Sequence, residues 1–245
     1  MTGDDGISRD GFLGGKVWLD QPKQGVRSGS DAVFLAAATA ARAGDRALDV
    51  GCGAGAAGLC LKERAPGIDL HGLEFQTDYA DLAERNGVPT VWRADLFEPP
   101  APLSTTPFDW VMTNPPFYRM TNSTSPKADR AIARRAERPL ADWIDACLRR
   151  LKPGGGFAMV HQVDALPEAM FALHQRAGDI AVLPLQPRTG RPAKRMVLTA
   201  RKGARGPFRL APPLILHDGL RHEADREDYS EAATAILRDG EALMF

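Results

Sequence analysis

The motif Asn114-Pro115-Pro116-Phe117 has the residue types for a specific chemistry. An exocyclic or amide NH2 group is a poor nucleophile, because its lone pair is delocalised. The Asn114 side-chain oxygen and the Pro115 backbone oxygen can each accept one N–H and so turn the lone pair toward an electrophile. The two prolines stiffen the backbone that aims these acceptors, and Phe117 can stack on a planar substrate. The motif predicts group transfer to an amino nitrogen, with these four residues as the catalytic set.

A glycine-rich turn, DVGCGAG at residues 49–55, precedes this motif between a predicted strand and a predicted helix. Glycines let a ligand approach the backbone closely, and a helix start offers unpaired N–H groups. Glu74, at the end of the next predicted strand, has the two oxygens needed to bind a pair of ribose hydroxyls. The expected cofactor-binding residues on these grounds are Asp49, Gly51, Gly53, Gly55, Glu74 and Asn114.

Two kinds of cofactor fit the turn. The spacing Gly53-x-Gly55-x-x-Gly58 matches the dinucleotide fingerprint, so the loop alone leaves the choice open. S-adenosylmethionine is favoured because Asp49 and the glycines that follow it resemble the Asp/Glu-x-Gly-x-Gly-x-Gly pattern of class I methyltransferases, and because a methyl donor suits the Asn-Pro-Pro-Phe motif. Its sulfonium methyl is already activated, so no metal is needed and the rate comes mostly from positioning.

Two weaker signals point to the same pocket. Asp95 follows the third predicted strand of the sheet, where it could accept from an adenine amino group, and Trp92 and Phe97 could pack on the ring. The alternative is that Asp95 caps a turn and both aromatic residues belong to the core. Asp31, at a helix start, is a candidate contact for the methionine part, although a favourable helix-dipole interaction explains it equally well.

These residues need a scaffold that brings strand ends together, and the chain alternates predicted strands and helices. Such alternation indicates an α/β fold with a mainly parallel sheet and helices on both faces, whose ligands bind beyond the carboxyl ends of the strands. The predicted strands are Arg46 to Val50, Ile68 to Glu74, Thr90 to Arg93, Phe108 to Met112, Phe157 to His161, Ile180 to Leu183 and Lys194 to Ala200. The predicted helices are Ser28 to Arg42, Ala54 to Ala65, Gln76 to Asn86, Pro139 to Leu151, with Trp143 in the core, and Ala165 to Arg176.

Composition excludes several other classes. Of the 245 residues, 44% are hydrophobic and 25% charged, which are ordinary globular values. The three cysteines are too few and too dispersed for a disulfide framework or a zinc site. The acidic start lacks the pattern of a signal peptide, and the longest uncharged apolar run is about half a membrane span. We therefore expect a cytoplasmic protein with no metal and no membrane contact; nothing in the pattern indicates an oligomeric state.

The expected layout is a single methyltransferase domain over residues 1–245. Residues 1–27 form an N-terminal extension, residues 28–217 the core, and residues 218–245 an acidic C-terminal segment. The long irregular stretches, from Pro115 to Arg138 and from Pro184 to Pro213, are candidate substrate loops.

The glycine turn and Asn-Pro-Pro-Phe together resemble the amino-group branch of the class I S-adenosylmethionine-dependent methyltransferases. The flanking segments at residues 21–38, 114–137 and 184–203 are similar to the bacterial tRNA adenine-N6 methyltransferases, which modify adenine 37 of valine tRNA. The resemblance spans about Gly11 to His217. Val26 is a departure, because many members carry Tyr there in Gly-Tyr-Arg.

This resemblance implies a Rossmann-like, seven-stranded sheet whose last strand is antiparallel, with S-adenosylmethionine as cofactor and tRNA as substrate. By the same resemblance, Gly51, Gly53 and Glu74 fall on cofactor positions and Asp95 on an adenine-binding position. Asn114 to Phe117 fall on the catalytic motif.

The net charge of zero hides a segregation that bears on an RNA partner. From Asp218 to Glu241 there are eight acids and three bases, whereas Leu185 to Arg209 contains eight bases and no acid. Phosphates are attracted to such a basic stretch, although a solvated face paired with the acidic segment is the alternative. The residues expected to bind tRNA are Arg188, Arg191, Lys194 and Arg195. The segment after Phe117 adds Arg119, Lys127, Arg130, Arg134, Arg135 and Arg138.

Other functions use parts of the same pattern. A protein glutamine amide is a close rival acceptor, but such enzymes usually carry a sizeable N-terminal helical domain. Guanine in ribosomal RNA is a further possible acceptor, and DNA adenine is disfavoured because no large target-recognition insertion is evident. A non-catalytic nucleic-acid-binding module or a dehydrogenase would leave Asn-Pro-Pro-Phe unexplained.

Overall fold

The computed structural model describes residues 6–116, 138–219 and 228–245. The strands are β1 (Ile7–Phe12), β2 (Val17–Pro22), β3 (Arg46–Val50), β4 (Asp69–Glu74), β5 (Thr90–Arg93), β6 (Phe108–Thr113), β7 (Leu151–Gln162), β8 (Ala177–Gln186), β9 (Arg195–Lys202), β10 (Arg209–Leu210) and β11 (Leu214–Ile215). The α-helices are α1 (Ser30–Ala38), α2 (Ala56–Arg64), α3 (Thr77–Arg85), α4 (Ala101–Thr105), α5 (Leu140–Arg150), α6 (Leu166–Leu173) and α7 (Glu231–Thr234).

Seven strands form the main sheet in the order β8-β9-β7-β6-β3-β4-β5, and the two-residue strands β10 and β11 pair with the outer edge of β8. Neighbouring strands are parallel except at β9, which runs antiparallel to both β7 and β8. The predicted α/β fold, with a mainly parallel seven-stranded sheet and an antiparallel last long strand, is confirmed. The edge strands β10 and β11 were not predicted.

The strand order reverses direction at β3. From β3 the chain moves outward through β4 to β5 and then returns to place β6 on the other side of β3. A crevice opens at such a point, because the connections leaving the two central strands diverge to opposite sides. Val50 at the end of β3 is paired with Thr113 at the end of β6, so the glycine turn and Asn114 leave the sheet side by side.

Alternation along the strands builds a core on each face of the sheet. On one face, Phe34 of α1, Leu61 of α2 and Ala83 of α3 belong to one buried cluster. On the other face, Leu103 of α4 and Ile144 of α5 belong to a second cluster. Helices on both faces bury the central strands, as their near-continuous apolar runs require. No helix within the described ranges is both long and apolar enough to cross a membrane.

A β-hairpin that the sequence analysis did not predict precedes the main sheet. Strands β1 and β2 pair antiparallel, with Phe12 opposite Val17. Val17 and Leu19 point into the core, while Trp18 between them is 53% exposed. The side chain of Asn86, after α3, holds the hairpin by accepting from Asp20 N and donating to Asp20 O, at 2.8 and 2.9 Å.

The C-terminal segment packs against the first helix. Its described part, residues 228–245, contains α7 and a π-helical turn at Ala235–Asp239, in which Ile236 is buried. Leu243 N donates to Ala37 O at 2.9 Å, at the end of α1. Acidic residues on the outside of this segment therefore coexist with an apolar side that completes the core.

The predicted start of β7 is wrong, because the strand begins at Leu151 and not at Phe157. Gly154 to Gly156 do not interrupt it; the pairing with β6 shifts register near Phe108 and Trp110 instead. A Cβ atom on Gly156 would lie 2.5 Å from the Trp110 ring. Glycine is needed there to let the ring lie across the strand.

Candidate functional site

A cleft opens at the carboxyl ends of β3, β4, β5 and β6, where the strand order reverses. It collects six of the predicted residues from four separate segments of the chain: Gly51, Gly53, Glu74, Asp95, Asn114 and Pro116. It is also lined by apolar and aromatic side chains, among them Val26, Leu73, Phe75, Tyr79, Leu96 and Trp143. A mostly apolar cleft with a few convergent polar groups is the usual form of a cofactor or substrate site.

The glycine turn has a conformation that other residues rarely adopt. Gly51, Gly53 and Gly55 have φ of 70°, 55° and 92°. A Cβ on Gly53 would meet no atom within 4 Å, so this part of the turn is open to a ligand. A Cβ on Gly55 would instead lie 2.5 Å from Val88 Cγ2. Gly55 therefore serves packing beneath the turn and is not part of the cleft lining.

Glu74 is the buried carboxylate of the cleft. One of its oxygens accepts from Gly53 N at 2.9 Å and the other from Gln76 N at 2.8 Å. Burial raises the pKa of Glu74 above its usual value, and the hydrogen bonds from Gln76 and Gly53 oppose this. Each carboxylate oxygen can accept a further hydrogen bond, so Glu74 keeps the capacity to bind a pair of hydroxyl groups.

Asp49 lies beneath the turn and outside the cleft lining. Its Oδ2 accepts from Gly58 N at 2.9 Å, in the first turn of α2. Burial raises the pKa of Asp49 to about 7, lowered in part by the Gly58 hydrogen bond and raised further by the nearby Glu74. The expected cofactor contact is replaced here by a supporting one, in which Asp49 fixes the helix that follows the turn.

Asp95 lies in the cleft, but the two aromatic residues predicted to flank a ligand do not line it. Asp95 Oδ1 accepts from Phe97 N at 3.1 Å. Trp92 stacks on His71 and donates its indole N–H to His71 Nδ1 at 3.1 Å. Phe97 packs edge-on against Trp143, and the Arg138 guanidinium lies 4.2 Å above the Phe97 ring centre.

Asn114 carries the least satisfied polar atom of the cleft. Its Oδ1 is buried and has no hydrogen-bond partner among the described residues. A buried acceptor without a partner costs about 1–3 kcal/mol, so native proteins rarely keep one without a use for it. Pro115 is buried and Pro116 exposed on the cleft, and these flank the acceptor as predicted. Phe117 and the basic residues from Arg119 to Arg135 lie outside the described residues.

Trp143 is the cleft residue whose position the sequence analysis predicted only in part, because it packs against the second buried cluster and also lines the cleft. It was predicted in the core, because it follows the apolar periodicity of α5. It is half-buried and lines the cleft, with its indole N–H donated to Thr113 Oγ1 at 3.0 Å. Val26 and Tyr79 were also missed. The Tyr79 hydroxyl accepts from Val26 N and donates to Val26 O, both at 2.9 Å.

The predicted tRNA-binding residues divide into two groups. Arg191 and Lys194 are exposed. Arg188 bonds Asp228 and the Asp218 carbonyl, and its side chain is only 12% exposed. The structure thus gives Arg188 an internal ion pair in place of the expected phosphate contact.

Asp31 was predicted to bind cofactor and Arg195 to bind tRNA. They contact each other at 3.2 Å, which joins the start of α1 to the start of β9. Asp31 does not line the cleft. Its contact with the methionine part stays a prediction.

This arrangement of sheet, turn and acceptor is that of the class I S-adenosylmethionine-dependent methyltransferases. A crystal structure described as a predicted O-methyltransferase from Agrobacterium tumefaciens has a TM-score of 0.69 at 24% identity, covering 87% of this chain and 98% of that one. The geranyl diphosphate C-methyltransferase of Streptomyces coelicolor, solved with S-adenosyl-L-homocysteine, has a TM-score of 0.50 at 14% identity, covering 71% and 75%. Both likenesses concern the fold.

The family model for the methyltransferase small domain matches residues 23–182, and the chain belongs to this family. The prediction of an S-adenosylmethionine-dependent methyltransferase is confirmed. A protein of Dickeya chrysanthemi named tRNA1(Val) (adenine(37)-N6)-methyltransferase is 28% identical over 245 residues, covering 94% of this chain and 93% of that protein. A protein of the same name from Parabacteroides distasonis is 28% identical, covering 91% and 93%.

Proposed function

We propose that this protein methylates the exocyclic N6 amino group of an adenine in tRNA, namely adenine 37 of valine tRNA. The observation that carries the proposal is the buried, unpartnered Oδ1 of Asn114 in a cleft that also holds a glycine turn and Glu74. An acceptor left unpaired at this point is suited to an incoming N–H donor. The names and near-complete coverage of the curated relatives support adenine in tRNA as that donor.

The described residues fit S-adenosylmethionine. The open backbone at Gly53 admits a ligand without a steric clash, and Glu74 can take two ribose hydroxyls. Asp95, on the same cleft wall, can accept from the amino group of the cofactor's adenine. The bound cofactor supplies a methyl group activated by positive sulfur.

The residues of the motif orient the acceptor nitrogen. Asn114 Oδ1 accepts one amino hydrogen and Pro115 O accepts the other, so the nitrogen lone pair points along the line of displacement. Transfer would form the nitrogen–carbon bond as the carbon–sulfur bond breaks, with S-adenosylhomocysteine as the leaving group and one proton released from the methylated nitrogen. Because Asn114 and the glycine turn start from paired strand ends, both reactants are placed before reaction, which is where most of the rate would come from.

The basic residues at the start of β9 lie on the acceptor side of the cleft. Across the sheet, Thr113 pairs with Met159 of β7, and Gln162, three residues further along β7, pairs with Arg195. Arg191 and Lys194 precede this point and are exposed. We infer that they hold phosphates of a tRNA whose target base has been unstacked into the cleft, as enzymes acting on a base require. Action on tRNA is consistent with the cytoplasmic location expected from the sequence.

The test compares acceptors side by side with labelled S-adenosylmethionine. The acceptors are an unmodified valine tRNA transcript, the same transcript with guanine at position 37, ribosomal RNA and a release factor. We expect label only in the first, recovered as N6-methyladenine by nucleoside mass spectrometry. Label only in the release factor or only in ribosomal RNA would assign glutamine or guanine instead. S-adenosylhomocysteine binding without any transfer would indicate a non-catalytic module.

A further inference from the structure

Trp143 takes part in a chain of two hydrogen bonds behind the cleft wall. Its indole N–H donates to Thr113 Oγ1 at 3.0 Å, and the Thr113 hydroxyl donates to Val50 O at 2.9 Å. The direction of the chain is fixed, because an indole N–H can only donate and a hydroxyl has one proton. The Thr113 hydroxyl must therefore accept the hydrogen bond from Trp143 and donate its own proton to Val50 O. Thr113 is fully buried, so water does not compete for either bond.

The chain joins the two segments that carry the reactants. Val50 is the residue before Gly51, the first glycine of the turn, and Thr113 is the residue before Asn114. The two are paired at the last register position of β3 and β6, where both strands leave the sheet. A side-chain bond at this point fixes the turn relative to Asn114 after the strand ladder has ended.

The Trp143 ring itself covers the glycine turn. A Cβ on Gly51 would lie 3.5 Å from Trp143 Cζ2 and 3.7 Å from Cη2, so the indole rests on the Gly51 backbone. Phe97 meets the ring edge-on at 6.0 Å between centres, and Arg138 lies over Phe97 from outside. The indole is therefore held by a hydrogen bond at one edge and by packing at another.

We propose that Trp143 is a positioning residue for methyl transfer. Held by Thr113 and Val50, its indole sets the distance and angle between the methyl carbon at the glycine turn and the amino nitrogen at Asn114. This inference rests on the proposed amino-group methylation, although it does not depend on which molecule carries the amino group. The rate of an in-line displacement depends steeply on such placement, and an error of about 1 Å can cost on the order of 100-fold.

The experiment removes each hydrogen bond while keeping the packing. Trp143→Phe removes the indole N–H, and Thr113→Val removes the hydroxyl but keeps the branched shape; Thr113→Ser restores a hydroxyl. Two matched controls remove a similar bond elsewhere. Trp92→Phe removes the indole bond to His71 outside the cleft, and Thr39→Val removes the buried hydroxyl bond to Leu35 O.

Single-turnover rate at saturating cofactor and the Kd for S-adenosylhomocysteine are measured for each variant. We expect Trp143→Phe and Thr113→Val to slow transfer by about 10-fold or more while Kd changes by less than about 3-fold. Thr113→Ser should recover most of the rate, and both controls should stay near wild type. The double variant should be no slower than the slower single one, because the two bonds act as one unit.

Wild-type transfer rates for Trp143→Phe and Thr113→Val would overturn the inference. So would a loss confined to Kd, which would make Trp143 only a wall of the cofactor pocket. If Thr113→Val fails to fold, the transfer rate and Kd of Trp143→Phe are sufficient to test the inference. Failure of the proposed substrate is a separate outcome: the wild type would then methylate ribosomal RNA or a release factor, and the same variants are compared on that acceptor.

Discussion

The cofactor side and the acceptor side of the cleft differ in how far their polar groups are already paired. On the cofactor side, Glu74 accepts from Gly53 and Gln76 and Asp95 accepts from Phe97, while Asp49 beneath the turn accepts from Gly58. On the acceptor side, Asn114 Oδ1 is buried and unpaired among the described residues. The protein's own backbone thus holds the cofactor side in place, whereas the acceptor side keeps a polar atom that no described residue satisfies.

This difference separates two properties that substitutions can test independently. The cofactor side should govern binding and folding, because its carboxylates are tied to the backbone that forms the pocket. The acceptor side should govern turnover and RNA recognition, because its groups meet only the substrate.

The largest effect is expected at Asn114. Asn114→Ala should lower turnover by about 100-fold or more, because it removes a preorganised acceptor for the reacting amino group. The Kd for S-adenosylhomocysteine should stay within about 2-fold, since the cofactor side is intact. Transfer assays measure turnover, and calorimetric titration measures cofactor affinity. An equal loss of turnover and of affinity would show that the two sides of the cleft are not functionally distinct.

A second expectation concerns Asp49 and pH. The folded pKa of about 7 lies above the usual value of 3.8, so the folded state binds the proton more tightly than the unfolded state. Its stabilising contribution is full below about pH 4 and is lost as pH rises toward about 7. The free energy of unfolding of Asp49→Asn, relative to that of wild type, should therefore rise by about 1–3 kcal/mol as the pH increases over this range. Above about pH 7 the difference should stay nearly constant. Urea unfolding at several pH values measures this difference. A difference that does not vary between about pH 4 and pH 7 would contradict the prediction.

Glu74→Ala should weaken S-adenosylhomocysteine binding by about 1–3 kcal/mol, the scale of one hydrogen bond to a charged group. Turnover at saturating cofactor should change much less. Glu84→Ala is the matched control, because Glu84 pairs with Arg93 on the exposed side of α3. Equal weakening of binding in the two variants would show that Glu74 does not bind the cofactor.

The smallest effect is expected from reversing the exposed charges of Arg191 and Lys194 to Glu. The KM for tRNA should rise by about 10-fold at moderate salt, and the log–log salt slope should become shallower by about 0.7–0.9 for each phosphate that the variant no longer binds. Cofactor affinity should not change. Arg188→Met is the contrasting variant: it should lower stability, because it removes the guanidinium that pairs with Asp228, and leave the salt slope unaltered. The opposite pattern would place the RNA contact at Arg188.

Much of the fold could be predicted because its signals are local. The bounds of β3 and β5 match the prediction, since short apolar runs there end at glycine or polar residues. The hairpin of β1 and β2 was missed because β1 buries only Phe12, so its sequence has no apolar alternation that would indicate a strand. β7 was cut short because its glycines, which usually break a strand, make room for Trp110.

Site residues could be predicted where they lie at the end of a strand. They could not be predicted where their role depends on contacts with residues far away in the sequence. Glu74 and Asn114 follow strands and so fall at the cleft. Trp92 was expected beside a ligand and Trp143 in the core, but Trp143 lines the cleft and Trp92 does not. Periodicity identifies the apolar face of an element, and it does not show what that face contacts. The ion pair of Arg188 with Asp228 joins residues 40 positions apart, which a charge count along the sequence cannot reveal.

The position of Trp143 also gives the protein an optical signal. The chain has four tryptophans, and of these only Trp143 lines the cleft. Trp18 is exposed on the hairpin, Trp92 stacks on His71, and Trp110 packs against Gly156. An aromatic ligand entering the cleft would quench or shift the emission of one indole and leave the other three as a constant background. Intrinsic fluorescence can therefore follow cofactor occupancy without a label.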